Sequence, residues 1–259
     1  MNYYIDFIPN QNFIKKISPY LLNKNDSIIF NVYIKELPSM NIKKCLYRSF
    51  KEYPPLISEI KKSGYKVNVV FDTFCFGNKE FTKEGKNIFL ILDYILDLGI
   101  DFITITNNFF FNYVKRRHPN CKIIISEYSE INNVQKICRY LDDMEANAVK
   151  IDTLLSKDLK TMTYIRDNFD INSIHIDTNK IAYENDIFKD SLNNSISHYI
   201  QEEKWEEVNA SLKIYENEQK SLNNKKIHLE TEDINNLKQL GFKNFWYHCD
   251  AEEDIYDFV

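Results

Sequence analysis

Histidine and carboxylate residues stand together in the β-branched segments near the end of the chain. His175 and Asp177 are two residues apart, so on a β-strand both side chains point to the same face, and His248 lies in the last such segment. With Asp152 or Asp72 nearby, these groups could form a histidine–carboxylate metal site or a general acid–base pair. A hydrogen-bonded network without metal would use the same residue types. We predict all five as catalytic, and leave a divalent metal ion open.

Lys150 is the sixth residue that we predict to be catalytic. It stands two residues before Asp152 and is therefore expected on the same face of a strand. A lysine buried in the interior can have a lowered pKa and form a Schiff base with a carbonyl substrate. The alternative is an ion pair with Asp6, Asp152 or Asp177, because a buried charge without a partner is costly.

Two other groups of reactive residues carry less weight. Cys249 follows His248, but adjacent residues of a strand point to opposite faces, so the two cannot act as a nucleophile and its base. The basic run from Lys115 to His118 could bind RNA or an acidic peptide. However, basic residues at a helix end usually stay solvated and complement the helix dipole. With a net charge of −5, the sequence does not predict a nucleic-acid partner.

Strand-like and helix-like segments alternate along the chain and must position these residues. "PPLISEIKKSGY" and "GKNIFLILDYILDLG" have apolar residues at helical spacing and end at or near glycine. Parallel strands need crossover helices, so this alternation predicts an α/β fold with a parallel sheet. Eight units predict a single (β/α)₈ TIM-type barrel over residues 1–259, with a doubly wound open sheet as the alternative. The predicted strands are 3–8, 27–34, 66–74, 101–106, 122–128, 148–152, 173–177 and 244–249.

Polar residues alternate with apolar ones on these strands, as Thr104 and Thr106 alternate with Ile103 and Ile105. In a closed parallel barrel one face of each strand packs on the helices, and the other faces the lumen. The predicted lumen set is Asp6, Asn31, Tyr33, Asn68, Asp72, Thr104, Thr106, Ser126, Lys150, Asp152, His175, Asp177 and His248. The predicted substrate-binding residues are Asn31, Tyr33, Asn107, Ser126, Glu127 and Trp205.

The interval 179–230 interrupts the alternation, because it contains no convincing barrel strand. We predict a helical insertion after the seventh strand, on the catalytic face of the barrel. Within it, Trp205, Val208, Leu212 and Tyr215 follow one another at spacings of three, four and three residues. This narrow apolar stripe on a charged helix predicts docking over the barrel mouth or against a protein partner. A surface helix pair without special purpose is the alternative.

The central block of the sequence, "YKVNVVFDTF" followed by "ILDYILDLGIDFITITNNFFFNYVKRRHPNCKIIISEYSEINN", resembles peptidase family U-32. This family contains collagenase-like barrel proteins, and some members hydroxylate RNA or quinone precursors. Ser126 and Asn133 fall where the family has a serine and an asparagine. "LKQLGFKNFWYHCDAEEDIYDFV" resembles its closing unit of helix, strand and tyrosine-containing helix. The resemblance covers about two-thirds of the chain and implies a barrel with a peptidase-like site.

The chain departs from the family in its signature residues. Thr153 and Leu154 stand where the family usually has an Arg-Glu pair, and "SIHIDTNK" lacks the family's His-Gly. The cysteines that hold an iron–sulfur cluster in the hydroxylases are missing, since no cysteine lies between Cys138 and Cys249. Four thiolates usually hold such a cluster, so we predict no iron–sulfur cluster.

Two functions remain open at this stage. The first is a divergent U-32-peptidase-like enzyme that acts on a peptide or peptide-derived substrate, or a small molecule, at the C-terminal mouth of the barrel. The second is a catalytically reduced accessory or binding subunit of a larger modification complex. The five scattered cysteines predict reduced thiols in the cytoplasm, and no apolar run predicts a membrane span or signal peptide.

Overall fold

Eight parallel strands close into a barrel in the computed structural model of the chain. The structure describes residues 1–7, 26–34, 37, 39, 50–73, 82–178, 182–183, 186, 189–202, 204–222 and 226–249. The strands are β1 Asn2–Asp6, β2 Ser27–Tyr33, β3 Lys66–Phe71, β4 Phe102–Ile105, β5 Lys122–Ile125, β6 Ala148–Ile151, β7 Ile174–Asp177, β8 Ala182–Tyr183, β9 Lys226–Ile227 and β10 Asn244–Tyr247. The barrel order is β1, β10, β7, β6, β5, β4, β3, β2, while β8 and β9 form a separate antiparallel pair. The predicted closed barrel is confirmed, and the open sheet is excluded.

Helices surround the barrel and connect its strands. They are α1 Tyr53–Lys62, α2 Lys83–Asp97, α3 Asn108–Arg117, α4 Val134–Cys138, α5 Thr153–Lys157, α6 Leu159–Asn168, α7 Lys189–Gln201, α8 Trp205–Ser221 and α9 Thr231–Gln239. Helix α4 continues as a π-helical turn over Arg139–Asp143. Across the described ranges, every helix is too short or too polar to cross a membrane. The predicted closing helix after residue 249 lies outside the described residues.

Helix ends return the chain to the barrel at fixed points. Gly99, just after α2, has φ of +71°, and Gly241, just after α9, has φ of +99°. Side chains with a Cβ rarely adopt this left-handed backbone, so glycine lets the chain reverse from each helix toward β4 and β10. Among the described glycines, Gly64 has a positive φ as well, just after α1.

Each barrel strand presents one face to the helices and the other to the lumen. Ile103 and Ile105 belong to the large core between strands and helices. A second, smaller apolar cluster fills the lumen and includes Tyr4 and Trp246, whose rings stack with centroids 4.9 Å apart. Thr104 is fully buried and hydrogen-bonded to Asn68 in the lumen. The polar row predicted from period-two alternation therefore lines the interior of the barrel.

Helices α7 and α8 lie in sequence between β7 and β10 and pack against each other. Ile196 and Ile200 of α7 and Val208 of α8 form a small apolar cluster that Tyr128 joins. Tyr128 stands just after β5, at the end of the barrel where the strands finish. This contact brings the helix pair to the edge of the barrel mouth.

Candidate functional site

Five ionisable side chains meet at the carboxyl ends of the barrel strands, and we name them the lumen cluster: Asp6, Glu127, Lys150, Asp177 and His248. Asp6, Lys150 and Asp177 are strand residues, Glu127 is the second residue after β5, and His248 directly follows β10. Because all eight strands run in parallel, the residues at their carboxyl ends converge on one end of the lumen.

Lys150 is the central cation of the lumen cluster. Its Nζ lies 2.8 Å from Glu127 Oε2 and 3.1 Å from Asp177 Oδ2, and its side chain is only 1% exposed. The ammonium also lies 4.3 Å from the centre of the Trp246 ring, within the range of a cation–π contact. Two carboxylates and an aromatic face together offset the loss of water around this charge.

His248 bridges two carboxylates with its two ring nitrogens. Nδ1 lies 2.9 Å from Asp6 Oδ2, and Nε2 lies 2.9 Å from Asp177 Oδ2. Ionised carboxylates only accept hydrogen bonds, so both nitrogens must carry protons. Burial by itself lowers the pKa of His248, but Asp177 and then Asp6 outweigh burial and raise it to about 9. The side chain keeps 23% of its surface exposed, so the imidazolium can be reached from the mouth.

The bridging imidazolium predicts a characteristic pH dependence of stability. Below about pH 6.5 the histidine is charged in both folded and unfolded chains, and its full contribution to stability is present. As the pH rises through about 9, this contribution should disappear, lowering the free energy of unfolding by about 3 kcal/mol. Chemical denaturation at several pH values measures the loss, and His248→Gln should not show it. Equal pH profiles for the wild type and the variant would contradict the bridged imidazolium.

A chain of amide and hydroxyl groups fixes Asp6 from the other side. Thr104 Oγ1 donates to Asn68 Oδ1 at 3.0 Å, and Asn68 Nδ2 donates to Asn31 Oδ1 at 2.8 Å. Asn31 Nδ2 then donates to Asp6 Oδ1 at 3.0 Å, and Tyr33 Oη donates to the same oxygen at 2.8 Å. Asn31 and Tyr33 thus donate to one oxygen of Asp6, and Thr104 and Asn68 fix the orientation of the Asn31 amide. Asn31 and Tyr33, predicted to bind substrate, therefore orient Asp6.

The hydroxyl of Ser126 lies between two carboxylates. Its Oγ is 3.0 Å from Glu127 Oε2 and 3.4 Å from Asp72 Oδ2. Ser39 Oγ donates to Asp72 Oδ1 at 2.5 Å. Since Glu127 also contacts Lys150, the hydroxyl and both carboxylates are continuous with the lumen cluster. This arrangement places proton acceptors around a potential nucleophile.

Two predicted site residues, His175 and Asn107, lie apart from the lumen cluster. His175 accepts a hydrogen bond from the Trp246 indole and contacts the Tyr4 ring, deeper in the lumen than Asp177. Burial, and then the charge of Lys150, lower the pKa of His175 to about 3, so it is neutral. Asn107 caps α3 by accepting from the backbone N–H of Phe109.

Asp152 and Trp205 are tied to helices rather than to the lumen cluster. One oxygen of Asp152 caps α5 through the backbone N–H of Leu154, and the other pairs with Lys189 of α7 at 2.7 Å. The expected ion pair of Lys150 with Asp177 is present, whereas Asp152 is paired with Lys189. Trp205 is half-buried against the α7–α8 apolar cluster.

The donor set around Lys150 bears on a metal site. Glu127, Asp177 and His248 offer ligand atoms that all lie within 4.8 Å of one another. However, the ammonium of Lys150 already contacts both carboxylates, and both nitrogens of His248 carry protons. In this arrangement the ligand atoms suit the ammonium group of Lys150 rather than a divalent metal ion. Among the described residues, Cys121, Cys138 and Cys249 are outside any disulfide, and the absence of an iron–sulfur cluster stays a prediction.

Asp6, Ser39 and Lys189 also contribute to the site but were not among the predicted site residues. Asp6 had a recognisable signal, since a charge within the apolar run "YYIDF" is unusual on a buried strand. Ser39 and Lys189 lie in segments whose sequence gave no indication of contact with the lumen. Their positions depend on the course of loops and on the docking of α7.

Comparison with known proteins supports the fold. Neither a protein-family model nor a curated protein matches the chain. The solved structure of the U32 peptidase Mk0906 is similar, with a TM-score of 0.63 over 96% of this chain and 92% of that one. At 15% sequence identity, this similarity establishes a shared U32-like barrel fold and not a shared activity.

Proposed function

We propose that the protein is a divergent U32-peptidase-like enzyme that acts on a peptide or peptide-derived substrate at the C-terminal mouth of its barrel. The observation that carries this proposal is the buried lysine between Glu127 and Asp177. Replacing such buried ion pairs by apolar residues is often neutral or stabilising, so they are weak stabilisers of a fold. Perturbed ionisable groups cluster at functional sites, and barrel enzymes place such sites at the carboxyl ends of their strands.

The residues of the site match the needs of peptide-bond chemistry. Hydrolysis requires a base that takes a proton from the attacking group and an acid that protonates the leaving nitrogen. Asp72 and Glu127 supply carboxylates beside the Ser126 hydroxyl, and His248 supplies a partly exposed imidazolium. Lys150 supplies a fixed positive charge in a water-poor environment, where it can stabilise a developing oxyanion. A divalent metal ion stays a secondary proposal, because it would have to displace the ammonium of Lys150.

Peptide turnover tests this proposal. The purified protein is incubated with a pool of synthetic peptides, and their masses are followed over time by mass spectrometry. We expect new masses that grow in proportion to the protein concentration and that disappear after heat denaturation. A folded protein that leaves every peptide unchanged would overturn the proposal.

The second candidate function is an accessory or binding subunit of a larger modification complex, and the helix pair favours it. In this proposal the predicted 179–230 insertion binds a protein partner. Ile214 of α8 is 62% exposed and Leu222, after its end, is 48% exposed, so apolar surface remains on the solvent side of α8. Both candidates are compatible with a cytoplasmic location, which we propose from the scattered cysteines.

Truncation of Trp205 tests whether the α7–α8 helix pair takes part in binding or only covers the barrel. Trp205→Ala should weaken substrate or partner binding more than it lowers the melting temperature, because the side chain is half-buried at a helix end. Asn209→Ala, an exposed polar position on the same helix, is the matched control and should change neither quantity. A core-type destabilisation of several kcal/mol with intact binding would show that the helix is scaffold.

A further inference from the structure

Asn193 of α7 has a buried amide nitrogen without a hydrogen-bond partner. Its side chain is 4% exposed, and among the described residues its Nδ2 is the buried side-chain polar atom that remains unsatisfied. Leaving a buried donor unpaired is unfavourable, and such atoms in folded proteins call for an explanation by a ligand or a water.

The contacts of α7 locate this amide at the barrel mouth. Lys189, four residues earlier on the helix, pairs with Asp152 just after β6 at 2.7 Å. Ile196 and Ile200, later on the helix, belong to the apolar cluster that Tyr128 joins just after β5. Residues three and four apart share one face of a helix, so Asn193 lies between two contacts with the barrel rim. Asn193 is therefore on the face of α7 that makes these contacts near the ends of β5 and β6.

The chemistry of the mouth restricts the ligand that could satisfy this donor. An N–H group needs an acceptor, which excludes a purely cationic or apolar ligand group. Among the described residues, the ionisable groups near the mouth include both carboxylates, such as Asp152 and Glu127, and cations, such as Lys189 and His248. A peptide substrate, as in the proposed function, offers neutral carbonyl oxygens as acceptors for this amide.

We propose that Asn193 is a substrate-positioning residue that donates a hydrogen bond to a neutral carbonyl oxygen, such as that of a peptide bond, bound between α7 and the ends of β5 and β6. This inference rests on the proposed function for the identity of the ligand, and it adds α7 to the substrate site. It also assigns a role to Lys189, because its ion pair with Asp152 holds α7 over the rim of the barrel.

Nuclear magnetic resonance tests the contact directly. The probe is a pool of N-acetylated, C-amidated hexapeptides without ionisable side chains, added to ¹⁵N-labelled protein. The side-chain amide signal of Asn193 is identified by its loss in Asn193→Leu, a variant of similar volume that should fold at least as stably because it buries no unpaired donor. We expect this signal to shift on addition of the pool, and the affinity of the variant to fall about tenfold.

Asn194→Leu is the matched control, since Asn194 is the exposed neighbour on the same helix and its replacement should leave affinity unchanged. An unmoved Asn193 signal, or equal affinity in Asn193→Leu, would overturn the inference; a more stable variant with unchanged affinity would assign the site to a buried water only. A wild type that binds the pool through Asn193 without changing any mass would sink the proposed function and keep this inference. Peptide turnover with an unshifted Asn193 signal would overturn this inference and keep the proposed function.

Discussion

Replacing Lys150 with methionine should lower the free energy of unfolding by about 3–5 kcal/mol at pH 7, which is the usual cost of breaking a buried ion pair from one side. The variant leaves Glu127 and Asp177 close to the same position without the ammonium that separates their charges. Methionine has a similar length, so the loss reflects charge rather than a cavity. Urea denaturation followed by circular dichroism measures it.

A second substitution separates the charge effect from a packing effect. In Lys150→Met combined with Glu127→Gln, one of the two carboxylates is neutral, and Asp177 keeps its contact with His248. We expect this double variant to regain at least half of the lost stability. A single variant as stable as the wild type would show that the lumen cluster is not held together by Lys150.

Asp177→Asn should reduce peptide turnover by about 100-fold or more, in the range found for loss of general acid–base groups. Asp177 Oδ2 contacts both Lys150 and the imidazolium of His248, so its charge sets the position of both cations. Asparagine keeps the shape of the side chain but removes this charge. His248, which supplies the acid, and Lys150, which supplies the fixed positive charge, then lose the carboxylate that both contact. Initial rates with the peptide pool measure the effect.

The control for this variant is Asp170→Asn. Asp170 lies before the amino end of β7, whereas Asp177 lies at the carboxyl end of this strand. Asp170 is exposed and caps the short turn that precedes β7. Its replacement should leave turnover within about twofold, because sites in these barrels lie at the carboxyl ends of the strands. Equal losses in both variants would point to general destabilisation rather than to a site at the mouth.

Eight alternating strand-like and helix-like units predicted the barrel, with an open sheet as the alternative, and period-two alternation predicted its polar interior. Thr104, Lys150 and Asp177 lie on the lumen faces of their strands, and the opposite faces form a continuous apolar surface. Because both faces are buried, these strands can pair in only one register. The sequence left Asp6, Asp152 and Asp177 open as partners of Lys150, and the structure shows the pair with Asp177. The glycines after α2 and α9 similarly indicated where these helices end, because the chain turns back toward the barrel there with a left-handed backbone.

Several residues just beyond the strands could not be placed in this way, although His248 could. Asp152 and Asn107 stand at the first turn of a helix, where a short polar side chain is drawn to the free backbone N–H groups. His175 has the period of the polar row, but its depth in the barrel places it beside aromatic rings. The contact of Lys189 with Asp152 depends on the docking of α7, which no local pattern encodes.

Mass spectrometry of peptide products formed in H₂¹⁸O tests the central claim most directly, namely that the lumen cluster is the site of an enzyme acting on peptides. The wild type should generate shorter peptides that carry one heavy oxygen in each new carboxyl group, and Asp177→Asn should generate about 100-fold fewer of them. A folded wild type that binds the same peptides but returns each with its original mass and no heavy oxygen would contradict the account and identify the protein as a binding subunit.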